Sequence, residues 1–162
     1  MAQISDLVQK KLDKSSLDLL GAIANPRLHA FLEDAVRLTQ PDKIRVFSDS
    51  PKDIDALRKL AVSGGGEHPL KREGHTYHFD GVNDQGRDTF STRYLLPKDM
   101  DLGESLNSIE RQEGLDEVKA FLKGSMKGKT MLVCFWCLCP TNSEFSLSCA
   151  KITDSPYVAH SE

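Results

Sequence analysis

Amphipathic helical patterns and one short strand pattern fill the first part of the chain. Apolar residues at helical spacing predict a helix over residues 4–20. A second helix is predicted to begin at Asn25-Pro26 and to end at Gln40-Pro41. Polar and apolar residues then alternate over residues 43–47, which predicts a strand. Ser50-Pro51 predicts the start of a third helix, which the glycines at 64–66 end.

The second half of the chain adds three strand patterns. Residues 76–79 predict a short strand, and a polar loop follows over residues 80–92. After a helix that ends near Gly124, residues 130–138 are apolar throughout, which predicts a central strand buried on both faces. Residues 145–152 predict the next strand, and Ser155-Pro156 predicts the start of a last helix. Helices interleaved with strands predict an α/β fold, a β-sheet with helices on its faces.

Composition and charge exclude several classes of protein. The 162 residues are 39% hydrophobic and 28% charged, with a formal net charge of −3, which is typical of one soluble domain. Lysine and arginine are scattered, so no nucleic-acid-binding surface is predicted. No segment has the roughly 18–20 apolar residues that span a membrane, and the N-terminus lacks the apolar core of a signal peptide. A cytoplasmic protein is therefore predicted.

Two motifs suggest chemistry that their spacing does not support. The segment over residues 124–130 looks like a phosphate-binding loop, but three residues instead of four separate its glycines. It also precedes a strand rather than a helix, so we predict a turn. His75 and His78 are three apart on a predicted strand and point to opposite faces, so they are predicted to be ordinary surface or core residues.

Four cysteines, Cys134, Cys137, Cys139 and Cys149, lie on or beside the last two predicted strands. Residues three apart on a strand point to opposite faces, so Cys134 and Cys137 are not expected to share a metal ion. Free cysteine is usually buried, and packing in the core is the favoured interpretation. A thiol-based metal module of Cys137, Cys139 and Cys149 remains an alternative, because Cys149 on the next strand could approach the other two.

The end of the chain carries a series of motifs. They are M-K-G-K-T-M at residues 126–131, an apolar strand, a turn at Pro140, and T-D-S-P-Y-V at residues 153–158. Together they resemble the N-terminal portion of the GTP-dependent phosphoenolpyruvate carboxykinases. The chain departs from that family at Cys139, where Gly commonly precedes the proline, and at Glu144, where Pro is often found.

The resemblance implies a mixed-sheet domain and an enzymatic role. Residues 1–162 are then one N-terminal, substrate-side domain, truncated at its C-terminal end, and the C-terminal nucleotide- and metal-binding domain is absent. The full-length enzyme is expected to be a monomer that converts oxaloacetate and GTP to phosphoenolpyruvate, CO₂ and GDP in gluconeogenesis. Manganese is the expected divalent metal. The 162-residue chain alone is expected to be inactive, with no catalytic, cofactor-binding or metal-binding residue of its own.

Arg87 is the candidate substrate-binding residue. It lies in a polar loop where the residues alone favour a surface ion pair with Asp84 or Asp88. The resemblance implies instead that Arg87 holds the carboxylate of oxaloacetate or phosphoenolpyruvate, which a guanidinium can bind through two parallel hydrogen bonds. The alternative function is a non-catalytic interaction or ligand-binding module that retains the carboxykinase fold.

Overall fold

The computed structural model describes residues 4–81 and 91–161. Its contacts divide the chain into a first unit, residues 1–78 with 124–162, and a second unit, residues 79–123. The helices are α1 (Asp6–Gln9), α2 (Lys14–Gly21), α3 (Pro26–Thr39), α4 (Pro51–Ser63), α5 (Arg111–Leu122) and α6 (Pro156–His160). The strands are β1 (Lys43–Val46), β2 (His68–Pro69), β3 (Thr76–Tyr77), β4 (Tyr94–Leu96), β5 (Ser108–Glu110), β6 (Thr130–Leu138) and β7 (Leu147–Thr153).

The first unit is built on a three-stranded sheet of order β1-β6-β7. β1 runs parallel to β6, with Ile44 opposite Met131. β7 runs antiparallel to β6, with Ile152 opposite Val133. Both kinds of pairing occur in one sheet, so the predicted α/β fold with a mixed sheet is confirmed.

Buried clusters cover both faces of this sheet, because successive strand residues point to opposite faces. One face packs against α1, α2 and α3, and the other against α4 and α6. The first cluster comprises Ile4, Val8, Leu20, Leu32, Val36, Ile44, Val46, Met126, Met131 and Val133. The second comprises Phe47, Leu57, Leu132, Cys134 and Ala159.

The predicted helix over residues 4–20 is wrong in one respect, because it is divided into α1 and α2. Between them Leu12 forms a parallel bridge with Ile44, whose N–H donates to the carbonyl of Lys11 at 2.9 Å. Asp13 then caps α2 by accepting a hydrogen bond from the N–H of Ser16 at 2.7 Å. Pairing with β1 therefore interrupts the helix, and a new cap restarts it.

β6 is the central strand, as predicted, but it is not buried along its whole length. Met131–Cys134 are buried, whereas Leu138 is 59% exposed. The prediction of burial on both faces is wrong beyond Cys134, because past that point only Trp136, which is partly buried, still packs against one of the two clusters.

The second unit pairs β4 with β5 in parallel, and α5 packs against both strands. Gly114 of α5 is buried against this pair, and a Cβ there would stand 2.3 Å from Cδ2 of Leu95. Glycine is therefore what allows the helix to approach so closely. Within the described ranges, no helix combines the length and the apolar character that a membrane crossing requires.

Candidate functional site

A cavity of about 340 Å³ opens on the first unit. Its lining residues are Lys11, Asp13, Lys43, Ile44, Arg45, Leu60, Thr130, Leu132, Asp154 and Pro156. Lys43 and Arg45 share one side of β1, because they are two apart on a strand. The sequence analysis did not single them out, although their alternation on the predicted strand was the signal that could have found them.

Two charged groups of the cavity have partners within the protein. Nζ of Lys11 donates to the carbonyl of Pro41 at 2.7 Å. Asp154 forms an ion pair with Lys129 at 2.5 Å, and both side chains are partly exposed, so the pair contributes about 0–1 kcal/mol. Lys11 and Asp154 are therefore engaged within the protein.

Arg45 contributes to the lowered pKa values of two carboxyl groups, those of Asp13 and Asp53. Hydrogen bonding from Ser16 is the largest cause of the lowered pKa of Asp13, and the charge of Arg45 adds to it. Hydrogen bonding from Ser48 likewise lowers the pKa of Asp53, again with a smaller contribution from Arg45. The cavity lining thus combines cationic side chains with carboxylates and contains no serine, cysteine or histidine.

A second polar group joins α6 to the segment after α4. Glu67 is only 4% exposed, and its Oε1 is hydrogen-bonded to Nε2 of His160. The ring of His78 stacks on that of Tyr157, with centroids 3.8 Å apart, while His75 is exposed. The sequence analysis missed Glu67, Tyr157 and His160, because the members of this group come from separate segments and share no spacing.

The glycine-rich segment before β6 forms the predicted turn. Gly124 and Gly128 adopt left-handed conformations with φ of 70° and 76°. The N–H groups of Gly124 and Met126 donate to the carbonyls of Leu38 and Thr39 at 2.8 Å and 3.0 Å. These amides are therefore engaged within the protein and do not form a cradle for a phosphate.

The cysteines differ from the prediction of core packing. Cys134 is buried, and burial raises the pKa of its thiol, but Cys137, Cys139 and Cys149 are exposed. The prediction is wrong for these three, because they lie beyond the part of the sheet that the helices cover.

The register of β6 and β7 also bears on the thiol-metal alternative. Cys149 lies opposite Trp136, so it projects from the face opposite to that of Cys137. Among residues 4–81 and 91–161, no group of three or more His, Cys, Asp or Glu side chains could hold a metal ion. A thiol-based module of Cys137, Cys139 and Cys149 therefore has no support in the described fold.

Arg87 lies outside the described residues, as does the rest of the segment 82–90. The described strands β3 and β4 stand on either side of that segment in the chain. The assignment of substrate binding to Arg87 stays a prediction.

Comparison with known proteins identifies the family. Residues 30–162 match the phosphoenolpyruvate carboxykinase N-terminal domain. The phosphoenolpyruvate carboxykinase (GTP) of Thermococcus kodakarensis is 43% identical over 155 residues, and that of Pyrococcus horikoshii is 41% identical over 155 residues. That of Saccharolobus solfataricus is 36% identical over 157 residues.

These alignments cover 96–97% of this chain but only 25–26% of the relatives. The chain therefore spans about a quarter of the length of the curated relatives that it matches. The family match extends over well more than half of the chain, and it includes the motifs at residues 126–131 and 153–158. The chain belongs to the phosphoenolpyruvate carboxykinase N-terminal domain family.

Proposed function

We propose that this chain is the substrate-side N-terminal part of a GTP-dependent phosphoenolpyruvate carboxykinase. The observation that carries the proposal is the 43% identity, over 96% of the chain, to a protein of that name. In this proposal the longer protein is a cytoplasmic monomer of gluconeogenesis. It converts oxaloacetate and GTP to phosphoenolpyruvate, CO₂ and GDP, by decarboxylation to an enolate that then accepts the phosphoryl group.

The proposed contribution of this chain is to hold the substrate carboxylate. Arg87 carries the guanidinium for this role, which can donate two parallel hydrogen bonds to a carboxylate. A carboxylate held in this way fixes the orientation of oxaloacetate, and orientation lowers the barrier of the reaction that follows. The chain by itself is proposed to be inactive.

GTP and a divalent metal, with manganese expected, belong to the longer protein in this proposal. The described residues do not fit a metal site, since no group of three or more suitable side chains comes together in them. The turn before β6 does not fit a phosphate loop, because its amides donate to Leu38 and Thr39. We therefore place both groups in the part of the carboxykinase that this chain does not match.

Replacement of Arg87 tests the proposal in a complete enzyme. A joined enzyme is made by linking this chain to the part of the Thermococcus kodakarensis carboxykinase that it does not match. Arg87→Ala is expected to lower kcat/KM for oxaloacetate by about 30- to 1,000-fold, which corresponds to about 2–4 kcal/mol for a desolvated charge partner. The 162-residue chain alone should show no GTP-dependent decarboxylation.

Arg93→Ala is the matched control. Arg93 forms a partly exposed ion pair with Glu117 at 2.8 Å within the second unit, so its replacement should change kcat/KM by less than about fivefold. A loss of less than about fivefold for Arg87→Ala would return Arg87 to the same class of surface ion pairs. GTP-dependent decarboxylation by the 162-residue chain alone would contradict the proposal that the reaction requires the rest of the carboxykinase.

A further inference from the structure

His78 stands at the point in the sequence where the chain passes from the first unit to the second. It is the last residue of the first unit before the second unit begins at Phe79. Residues 68–81 are exposed with the exception of His78, which is half-buried. His78 is therefore the residue of this stretch that packs into the first unit.

Two contacts fix the ring of His78. Its Nδ1 donates a hydrogen bond to the carbonyl oxygen of Gly66 at 2.5 Å, so the ring carries a proton at Nδ1. Its face stacks on the ring of Tyr157, with the centroids 3.8 Å apart and an angle of 18° between the planes. The hydrogen bond acts in the plane of the ring and the stack acts perpendicular to it, so together they fix both its position and its orientation.

The partners of this ring are themselves held in place. The N–H of Gly66 donates to the carbonyl of Ala61 in α4 at 3.0 Å, and a Cβ at Gly66 would stand 3.3 Å from Cβ of Tyr157. In α6, His160 meets the ring of Tyr157 edge-on and is hydrogen-bonded to Glu67, which is only 4% exposed. These contacts close a circle, which we call the histidine anchor; its members are Gly66, Glu67, His78, Tyr157 and His160.

The histidine anchor precedes the candidate substrate-binding residue in the sequence. Arg87 follows His78 by nine positions. Tyr157 belongs to the motif over residues 153–158 that the family match includes. A guanidinium donates two parallel hydrogen bonds to a carboxylate only when it is correctly oriented, and a small displacement of a binding group lowers the rate of a reaction steeply. A fixed start for the segment that carries Arg87 therefore favours binding of the substrate.

We infer that the histidine anchor positions Arg87 for the substrate carboxylate, and that His78 and Tyr157 are positioning residues of the carboxykinase reaction. This inference rests on the proposed function, because Arg87 has its role only there. Neither ring has to touch the substrate, since both act by holding the chain from which the Arg87 segment starts.

Replacement of His78 in the joined enzyme tests the inference. His78→Ala removes both the stack and the hydrogen bond, and it is expected to lower kcat/KM for oxaloacetate by about 5- to 20-fold. The loss should be smaller than that for Arg87→Ala, because the arginine itself remains. KM for GTP should change by less than about twofold, since a general structural defect would affect both substrates alike. Tyr157→Leu should have the same effect as His78→Ala, whereas Tyr157→Phe keeps the stacked ring and should stay within about twofold of the parent enzyme.

His75→Ala is the matched control. His75 is exposed and lies three positions before His78, with its Nδ1 at 3.1 Å from the carbonyl oxygen of Glu73. Its replacement should change kcat/KM by less than about twofold. Equal losses for His75→Ala and His78→Ala, or a parallel loss for GTP, would overturn the inference.

The stack itself is measured in the 162-residue chain by NMR. A ring that stacks 3.8 Å away shifts the ring protons of His78 upfield. Tyr157→Leu should return these protons to their ordinary positions, and Tyr157→Phe should leave them shifted. Ring protons of His78 that do not respond to Tyr157→Leu would overturn the inference even if the joined enzyme is inactive.

The Arg87→Ala variant separates this inference from the proposed function. If His78 acts through Arg87, His78→Ala should cost less than about twofold further in the Arg87→Ala background. An undiminished loss there would overturn the inference and leave the role of Arg87 standing. A loss of less than about fivefold for Arg87→Ala alone would contradict the proposed role of Arg87, and the inference with it, whatever the effect of His78→Ala.

Discussion

Replacement of Cys139 by glycine should stabilise the protein. Cys139 follows β6 and has a φ of 73°, in the left-handed region where a Cβ lies too close to the following carbonyl oxygen. The carboxykinases that the chain resembles commonly have Gly at this position, before the proline of the turn. The backbone therefore keeps a conformation that suits glycine, while the side chain at the position is cysteine.

The size of the effect follows from two opposing contributions. The left-handed conformation costs a residue with a Cβ about 1–2 kcal/mol. Glycine removes that cost, but it also gives the unfolded chain more freedom, which offsets about 0.4–1 kcal/mol. The thiol of Cys139 is exposed, so its removal loses little packing. We expect Cys139→Gly to raise the free energy of unfolding by about 0.5–1 kcal/mol.

Urea denaturation under reducing conditions measures this change, with Cys139→Ala as the control. Alanine removes the thiol but keeps the Cβ, so its free energy of unfolding should stay within about 0.3 kcal/mol of the parent chain. The glycine variant should also melt about 1–4 °C higher. An equal gain from alanine would show that the thiol and not the backbone is responsible. No gain from glycine would refute the left-handed turn.

Two further predictions concern packing and charge. A Cβ at Gly114 would stand 2.3 Å from Cδ2 of Leu95, whereas Gly21 of α2 has nothing within 4 Å. Gly114→Ala should therefore lower the free energy of unfolding by up to about 2 kcal/mol, because overpacking costs about 1–3 kcal/mol and the higher helix propensity of alanine offsets about 1 kcal/mol. Gly21→Ala should raise the free energy of unfolding by up to about 1 kcal/mol. Equal effects in urea denaturation would contradict the packing of α5. Hydrogen bonding from Ser48 lowers the pKa of Asp53 below its ordinary value of 3.8. The ionised carboxylate of Asp53 therefore stabilises the fold fully above pH 3.8, and this contribution is lost as pH falls through the lower pKa of the folded state. Asp53→Asn should cost about 1 kcal/mol at neutral pH and remove that acid-side loss, and an unchanged profile of unfolding free energy against pH would contradict it.

Signals confined to a few neighbouring residues were sufficient to predict the starts of three helices. Asn25, Ser50 and Ser155 each precede a proline, and each accepts a hydrogen bond from a backbone N–H of the first turn of α3, α4 or α6. The cap and the proline act within one turn, so no distant partner is needed. The same locality explains why the turn before β6 was predicted correctly.

Features that depend on distant partners could not be predicted in this way. The helical pattern over residues 4–20 gives no indication that Leu12 pairs with Ile44, and this pairing ends α1. The apolar run of β6 likewise predicts burial, but burial requires an element that covers the strand. Leu138 has the composition of a core residue and is 59% exposed, since no described helix lies over that end of the sheet.

The candidate functional residues were harder still to predict from the sequence, because they too depend on distant partners. Glu67 and His160 are 93 positions apart and form a partly buried hydrogen bond, which no spacing rule could connect. Arg87 became a candidate only through the resemblance, because a polar loop with Asp84 and Asp88 is equally typical of a surface ion pair. A carboxylate-binding arginine differs from a surface arginine in the neighbouring groups that shield it from water. In the proposed function, some of those groups belong to the remainder of the carboxykinase. The loss of kcat/KM for Arg87→Ala in the joined enzyme, compared with the loss for Arg93→Ala, distinguishes the two roles, because it measures how much transition-state binding the side chain supplies.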